Sequence, residues 1–210
     1  RLAGLLTDRL IAVSHSEMQV AITESIAPRA KTVVIPNAID SQSLCPDPSR
    51  RAKVRRALGI GDSTPVVGTV ARFTNQKDPL SMVRAMKLIL QDVPDAVLVW
   101  CGEGELRAEV EALAHQLGIA SSARFLGFRT DVEDIMRSYD VFLLTSIFEG
   151  LPYTVLEAMS MSIPVVVTNV VGNRDVVVDG QTGILVPPQQ PAMAAKAVVS
   201  LIRDRDTREL

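Results

Sequence analysis

The strongest constraint on this chain is a set of short apolar runs that do not alternate with polar residues. Pro65-Val66-Val67-Gly68-Thr69-Val70-Ala71, Ala96 to Cys101, Asp140-Val141-Phe142-Leu143-Leu144 and Pro164-Val165-Val166-Val167-Thr168 are of this kind. A strand with one wet face alternates; a strand covered on both faces has no need to. Segments of helical character lie between and after the runs. Pro79 to Gln91 carries Met82, Met86 and Ile89 on one face, Glu105 to Leu117 stops at Gly118, and Val132 to Ser138 and Tyr153 to Met161 follow. Arg124-Phe125-Leu126 and Ile184-Leu185-Val186 add short strands, and a last helix starts at Pro191. Strand and helix in turn predict an α/β, Rossmann-like parallel sheet with helices on both faces, from about residue 41 to residue 210. Such sheets take ligands at the carboxyl ends of their strands. The loops after Ala71, Cys101, Leu126, Leu144 and Thr168 should therefore share one edge.

The first 40 residues read differently. Leu10 to Ser14 is a strand, Ser14 or Ser16 caps a helix to about Ile26, and Thr32 to Pro36 is a second strand. Asn37 to Pro48, with Asn, Asp, Ser and prolines, is the linker. The chain has 210 residues, 47% hydrophobic and 22% charged, enough to bury a core. Its net charge of −2 lacks the basic excess of a nucleic-acid binder. Cys45 and Cys101 are too few for a disulfide framework or zinc ribbon, which points to a reducing cytoplasm. No apolar run approaches the roughly 20 residues of a membrane span. The chain opens Arg1-Leu2-Ala3-Gly4, neither an initiator Met nor a signal peptide, and closes through Arg203-Asp204-Arg205-Asp206 inside a helical pattern. Both ends read as cut, so a fragment is expected.

The chemistry concentrates in Phe148-Glu149-Gly150-Leu151-Pro152 and the helix after it. Free backbone N–H groups at a helix start favour an anionic ligand, and Gly150 lets such a ligand come close. Glu149 stands at the mouth of the loop, and Glu157 follows about two turns into the helix. Carboxylates do not bind phosphate; they accept hydrogen bonds from hydroxyls, which a sugar nucleotide carries on both of its sugars. Arg72 and Lys77, after the Val66–Ala71 strand, supply the cations a diphosphate needs. No Asp-x-Asp pair stands beside that loop to hold Mg²⁺, so the site is expected to work without a metal.

At this point the sequence resembles a family. Glu149-Gly150-Leu151-Pro152-Tyr153-Thr154-Val155-Leu156-Glu157 resembles the Glu-x7-Glu motif of the family-four retaining glycosyltransferases, the glycogen-synthase-like group with the two-domain GT-B fold. Val34-Ile35-Pro36-Asn37-Ala38-Ile39-Asp40, Val70-Ala71-Arg72-Phe73 with Lys77, Cys101-Gly102-Glu103-Gly104, Phe125-Leu126-Gly127-Phe128 and Asp179 to Val186 are similar to further family segments, in the family's order. The resemblance implies that residues 1–40 are the last strand-helix-strand piece of an acceptor domain plus linker. It makes residues 41–210 a nucleotide-sugar donor-binding domain, cut in its last helix, and the chain the C-terminal half of a GT-B enzyme. It implies that Arg72 and Lys77 bind the diphosphate and support its departure. Glu149, with the N–H groups of Gly150 and Leu151, would hold the transferred sugar. Glu157 would bind ribose, and backbone near Gly127 and Phe128 would receive the base. The donor would be a UDP- or GDP-sugar, and the acceptor a glycan, lipid or small molecule. A hexose or hexosamine would pass with retention at the anomeric carbon. The fragment would bind donor but transfer little.

The departures from the family pattern are Ser162 in place of Gly, Val171 before Gly172 in place of a Gly pair, and Asp175 in place of Glu, the last bearing on sugar choice. A nucleotide-sugar epimerase of the same architecture and a non-catalytic nucleotide-sugar-binding module are the alternatives; Glu149→Ala separates enzyme from module. His15 and His115 read as solvated helix residues, and Cys101 as a small buried hydrophobe. The run Arg50-Arg51-Ala52-Lys53-Val54-Arg55-Arg56 reads as a solvated helix face, with peripheral contact at the inner face of an anionic membrane as the alternative. Unpaired strands in the first 40 residues would favour self-association.

Overall fold

The computed structural model describes residues 7–204. β1 (Leu10–Ala12), α1 (His15–Thr23) and β2 (Thr32–Val34) form a strand-helix-strand unit with the strands parallel. Ser14 is the cap of α1: its Oγ accepts the Glu17 N–H at 3.0 Å. That role takes Ser14 out of the strand, which stops at Ala12. Ile11 pairs with Val33 across the two strands, and Ile35 lies two residues on; all three are exposed. One face of this small sheet is thus bare and apolar.

The remaining strands are β3 (Val66–Val70), β4 (Val97–Cys101), β5 (Ala123–Gly127), β6 (Val141–Leu144), β7 (Val165–Thr168) and β8 (Ile184–Val186). They make one six-stranded sheet in the order β5-β4-β3-β6-β7-β8. Every pairing is parallel. The helices are α2 (Pro48–Ala57), α3 (Pro79–Asp92), α4 (Arg107–Gln116), α5 (Val132–Met136), α6 (Tyr153–Ser160), α7 (Asn173–Val176) and α8 (Pro191–Arg203). Val67, Leu98, Trp100, Leu143 and Val166 point to one side, where α3, α4 and α8 cover them. Val66, Val99, Phe142, Leu144, Val165 and Val167 point to the other, under α5 and α6. Alternate residues of each strand serve opposite cores, which is why the runs show no polar alternation. Each buried Val, Leu or Phe stabilises by about 1.5–3 kcal/mol, and so the strands are fixed in place. The expected α/β architecture is the one observed. The short α7 was not anticipated in the sequence, and the continuation of the last helix through Arg205 and Asp206 lies outside the described residues.

The basic run needs correction. It lies on α2, capped by Asp47, whose carboxylate accepts the N–H groups of Ser49 and Arg50 at 3.0 Å each. Arg51 and Arg55 fall one turn apart on the helix face turned to the amino edge of the sheet. Arg55 is 1% exposed. Its guanidinium donates to the carbonyls of Gly61, Asp62, Thr64 and Ser138 and to Asp140 Oδ2, the last at 2.6 Å. Arg51 reaches Asp140 Oδ1 at 2.7 Å, and Asp140 also takes the Val66 N–H at 2.7 Å. Arg50 pairs with Asp47 and Asp134. Only Lys53 and Arg56 of the run remain exposed without an acidic partner among the described residues. Nearby, buried Arg137 donates to the carbonyls of Ser43 and Cys45 and so pins the linker beneath the sheet.

Candidate functional site

Chain order reverses between the neighbours β3 and β6, since β3 leads to β4 on one side while β6 leads to β7 on the other. At such a switch point the loops leaving the two strands diverge and open a crevice. Here the crevice is a cleft of about 700 Å³. Arg72, Lys77, Phe128, Glu149, Gly150 and Leu151 all line it. Six of the eight residues expected at the site are therefore gathered in one place. Its size is that of a small-ligand site.

Lys77 ends a one-turn helix, Asn75–Lys77, just before α3. Its Nζ lies 2.5 Å from Glu149 Oε1. Ser146, fully buried, donates its Oγ to the same oxygen at 2.5 Å. The two loops are laced further by Thr145 Oγ1, which donates to the carbonyls of Lys77 and Asp78 at 3.0 Å, and by Gln76 Nε2, which donates to the Phe148 carbonyl at 3.1 Å. Behind them Thr168 Oγ1 donates to Ser146 O, and Asn173 Nδ2 to Thr168 O. Glu149 is thus buried, 8% exposed, and not free at the loop mouth. Its Oε1 is saturated, and Oε2 has no protein donor among the described residues. Arg72 is exposed, and its guanidinium has no ion-pair partner among the described residues. The sequence reading missed Ser146; the only available signal was its place three residues before Glu149 at the end of a strand.

Two expected residues stand outside the lining. Glu157 sits on α6 one turn beyond Tyr153 and Thr154, which do line the cleft. Burial first, and the Glu133 carboxylate second, push its pKa up. Gly127 is covered by the carboxylate of Glu103, which pairs with Arg107 at 2.6 Å, while the Phe128 side chain stands 78% exposed at the rim. Gly150 lines the cleft, and a Cβ there would stand 3.0 Å from Val13 Cγ2, a tight contact that its missing side chain relieves. Gly172 is required: its φ is 84°, and a Cβ on it would stand 2.3 Å from the Gly150 carbonyl oxygen.

Asp175 is not in the cleft lining; its Oδ1 accepts the Ser16 N–H at 3.3 Å. Ser162 has φ 56°, the left-handed conformation that explains a glycine preference at that position. Cys101 is 1% exposed and its thiol pKa is pushed by burial to about 11, in line with an inert core residue. His15 and His115 are exposed. Among the described residues no group of three metal-ligating side chains occurs, and no helix is long and apolar enough to cross a membrane.

A doubly wound parallel sheet with an Arg, a Lys–Glu pair and a loop–helix junction at its switch point defines a class: α/β domains that take an anionic ligand at the carboxyl edge. Within it, this chain belongs to the group 1 glycosyltransferases, whose family model matches residues 50–210. The chain is 30% identical over 206 residues to the UDP-Gal:alpha-D-GlcNAc-diphosphoundecaprenol alpha-1,3-galactosyltransferase of Escherichia coli, covering 97% of this chain and 53% of that one. It is 33% identical over 190 residues to the D-inositol 3-phosphate glycosyltransferase of Corynebacterium urealyticum, covering 86% of this chain and 45% of that one. Among solved structures, Anabaena HepE in complex with UDP and glucose matches with a TM-score of 0.91 and 26% identity, over 99% of this chain and 57% of HepE. The fold is that of the C-terminal half of GT-B glycosyltransferases. The chain spans about half the length of the curated relatives it matches.

Proposed function

We propose that the chain is the donor-binding part of a retaining hexosyltransferase that takes a UDP- or GDP-sugar and serves a glycan or lipid-linked acceptor. The observation that carries this reading is the cleft at the β3–β6 switch point, with exposed Arg72 beside the Lys77–Glu149 pair. Arg72 forks onto the diphosphate, and Lys77 adds a point charge at the same group. Glu149 Oε2 accepts a hydroxyl of the sugar, while Oε1 is held by Lys77 and Ser146. The N–H groups of Gly150 and Leu151 face the transferred sugar. Glu157 receives the ribose hydroxyls, and the base rests between the Gly127 backbone and the Phe128 ring. Binding of UDP and of UDP-glucose by the HepE neighbour supports uridine as the first nucleotide to try.

In the reaction, the bond from the anomeric carbon to the diphosphate oxygen breaks as the acceptor oxygen bonds to the same face. The acceptor's proton passes to the departing diphosphate. Arg72 and Lys77 stabilise the charge that develops there, the task a metal would otherwise perform. In this reading residues 1–40 belong to the acceptor side and residues 41–210 to the donor side. The bare face of Ile11, Val33 and Ile35 supports that split and favours self-association of the chain when nothing covers it. The 210-residue chain alone binds donor and transfers little. Two unpaired cysteines fit a reducing cytoplasm. With three of its five cations engaged by Asp47, Asp134 and Asp140, the basic run has little charge left for a peripheral membrane contact.

Titration calorimetry of the chain with UDP, GDP and UDP-glucose tests the reading. Binding that is lost in Arg72→Ala is expected; absence of binding to every nucleotide refutes it.

A further inference from the structure

The loop carrying Gly150 and Leu151 is gripped by the β1–α1–β2 unit and the segment leaving it. A Cβ on Gly150 would stand 3.0 Å from Val13 Cγ2 and 3.5 Å from Glu17 Oε1. Glu17 is itself tied down, its Oε2 accepting the Val13 N–H at 2.7 Å. Asn37, just after β2, donates its Nδ2 to the Leu151 carbonyl at 2.7 Å, across 114 residues of sequence. Leu151 is 9% exposed and is followed by Pro152, so its carbonyl belongs to a peptide unit with no N–H. No backbone N–H among the described residues reaches that oxygen. The side chain of Asn37 is therefore its protein partner, and a buried carbonyl needs one. The Asn37 side chain is also at the cleft, since Asn37 and Val13 both line it.

We propose that Asn37 is a positioning residue for the sugar. By holding the Leu151 carbonyl it restrains the loop and so limits the direction of the Leu151 and Gly150 N–H groups. It also makes that direction depend on how the β1–α1–β2 unit is seated against the loop. Movement of the acceptor side is thereby transmitted to the sugar pocket through one amide. The nucleotide end, held by Arg72, Lys77 and Glu157, is left untouched. This inference rests on the donor-binding reading above.

The test is calorimetry of the full 210-residue chain with UDP and with UDP-glucose, using Asn37→Ala, Asn37→Asp and Asn37→Gln. Asp keeps the shape of Asn but cannot donate when ionised; Gln keeps the donor on a longer arm. Ala and Asp are expected to weaken UDP-glucose by about tenfold while UDP changes by less than about twofold, and Gln to recover part of the loss. Unchanged UDP-glucose affinity in the Asp variant, or equal losses for both ligands, overturns the inference while leaving the reading intact. A wild-type chain that binds neither ligand, or gains nothing from the glucose, sinks the reading and the inference with it. Melting temperatures taken in parallel identify a variant whose losses come from unfolding, and equal losses of both ligands in such a variant count against the inference.

Discussion

Lys77 Nζ and Glu149 Oε1 lie 2.5 Å apart, joining loops 72 residues distant in sequence. The side chains are 15% and 6% exposed, so each is the other's main source of charge compensation. Lys77→Ala should leave a buried carboxylate unpaired and cost about 3–5 kcal/mol in urea unfolding. In a Glu149→Gln background the same truncation should cost less, with a coupling of about 1–3 kcal/mol. Strictly additive losses would mean that the pair does not interact.

In the proposed ribose-binding role, Glu157 links stability to donor binding with opposite signs. Its pKa is raised by burial and by Glu133, so the folded chain holds the proton more tightly than the unfolded chain. The contribution of Glu157 to stability is therefore greatest below the ordinary glutamate pKa and falls as pH rises toward the raised value. In that role the ionised carboxylate accepts the ribose hydroxyls more strongly than the acid does, so UDP affinity should rise over the same interval. Glu157→Gln should raise the melting temperature of the free chain at pH 7, flatten its pH dependence and weaken UDP about tenfold. Thermal melts and calorimetry between pH 4 and pH 8 read both halves, and a wild-type melting temperature that does not fall relative to Glu157→Gln as pH rises contradicts the assignment.

Arg55 is buried against Asp140, whereas Lys53 and Arg56 on the same helix are exposed. Arg55→Ala should destabilise by about 3–5 kcal/mol, since it leaves Asp140 only Arg51 and the Val66 N–H and takes the donor from four carbonyls. Lys53→Glu and Arg56→Glu should stay within about 0.5 kcal/mol of wild type. Denaturant midpoints of the three variants would expose any error in that ranking.

Ser162 holds a left-handed conformation, φ 56°, just past the end of α6. A non-glycine residue there costs about 1–2 kcal/mol, part of which glycine gives back through its freer unfolded state. Ser162→Gly should therefore gain about 0.5–1 kcal/mol, read as a higher denaturation midpoint. A loss of stability would place the hydroxyl in a role that its backbone angle does not reveal.

The strands, their parallel order and the meeting of Arg72, Lys77 and Glu149 were legible because apolar runs and charged residues leave strong local signals. The direct Lys77–Glu149 contact was not, since two charges far apart in sequence carry no mark of being neighbours in space. Ser146, Thr168 and Asn173 were missed for a related reason: small neutral polar residues look alike in loops and in buried networks. The basic run misled because five cations suggest water, while the one-turn spacing of Arg51 and Arg55 and the Asp at the start of β6 held the better answer. Strand ends were overcalled at Ser14 and Pro36, where a helix cap and a missing N–H stopped the ladder.

The Arg55–Asp140 anchorage sits at the amino ends of β3 and β6, and the cleft at their carboxyl ends. A strand of four or five residues, about 13–17 Å, separates the two. The domain is moored at one end and opens its cleft at the other. Loops at that edge outside the Lys77–Glu149 network can therefore drift from one descendant to the next without loosening the mooring. A lineage built this way can vary the rim of its cleft cheaply, because the Arg55–Asp140 mooring does not line it.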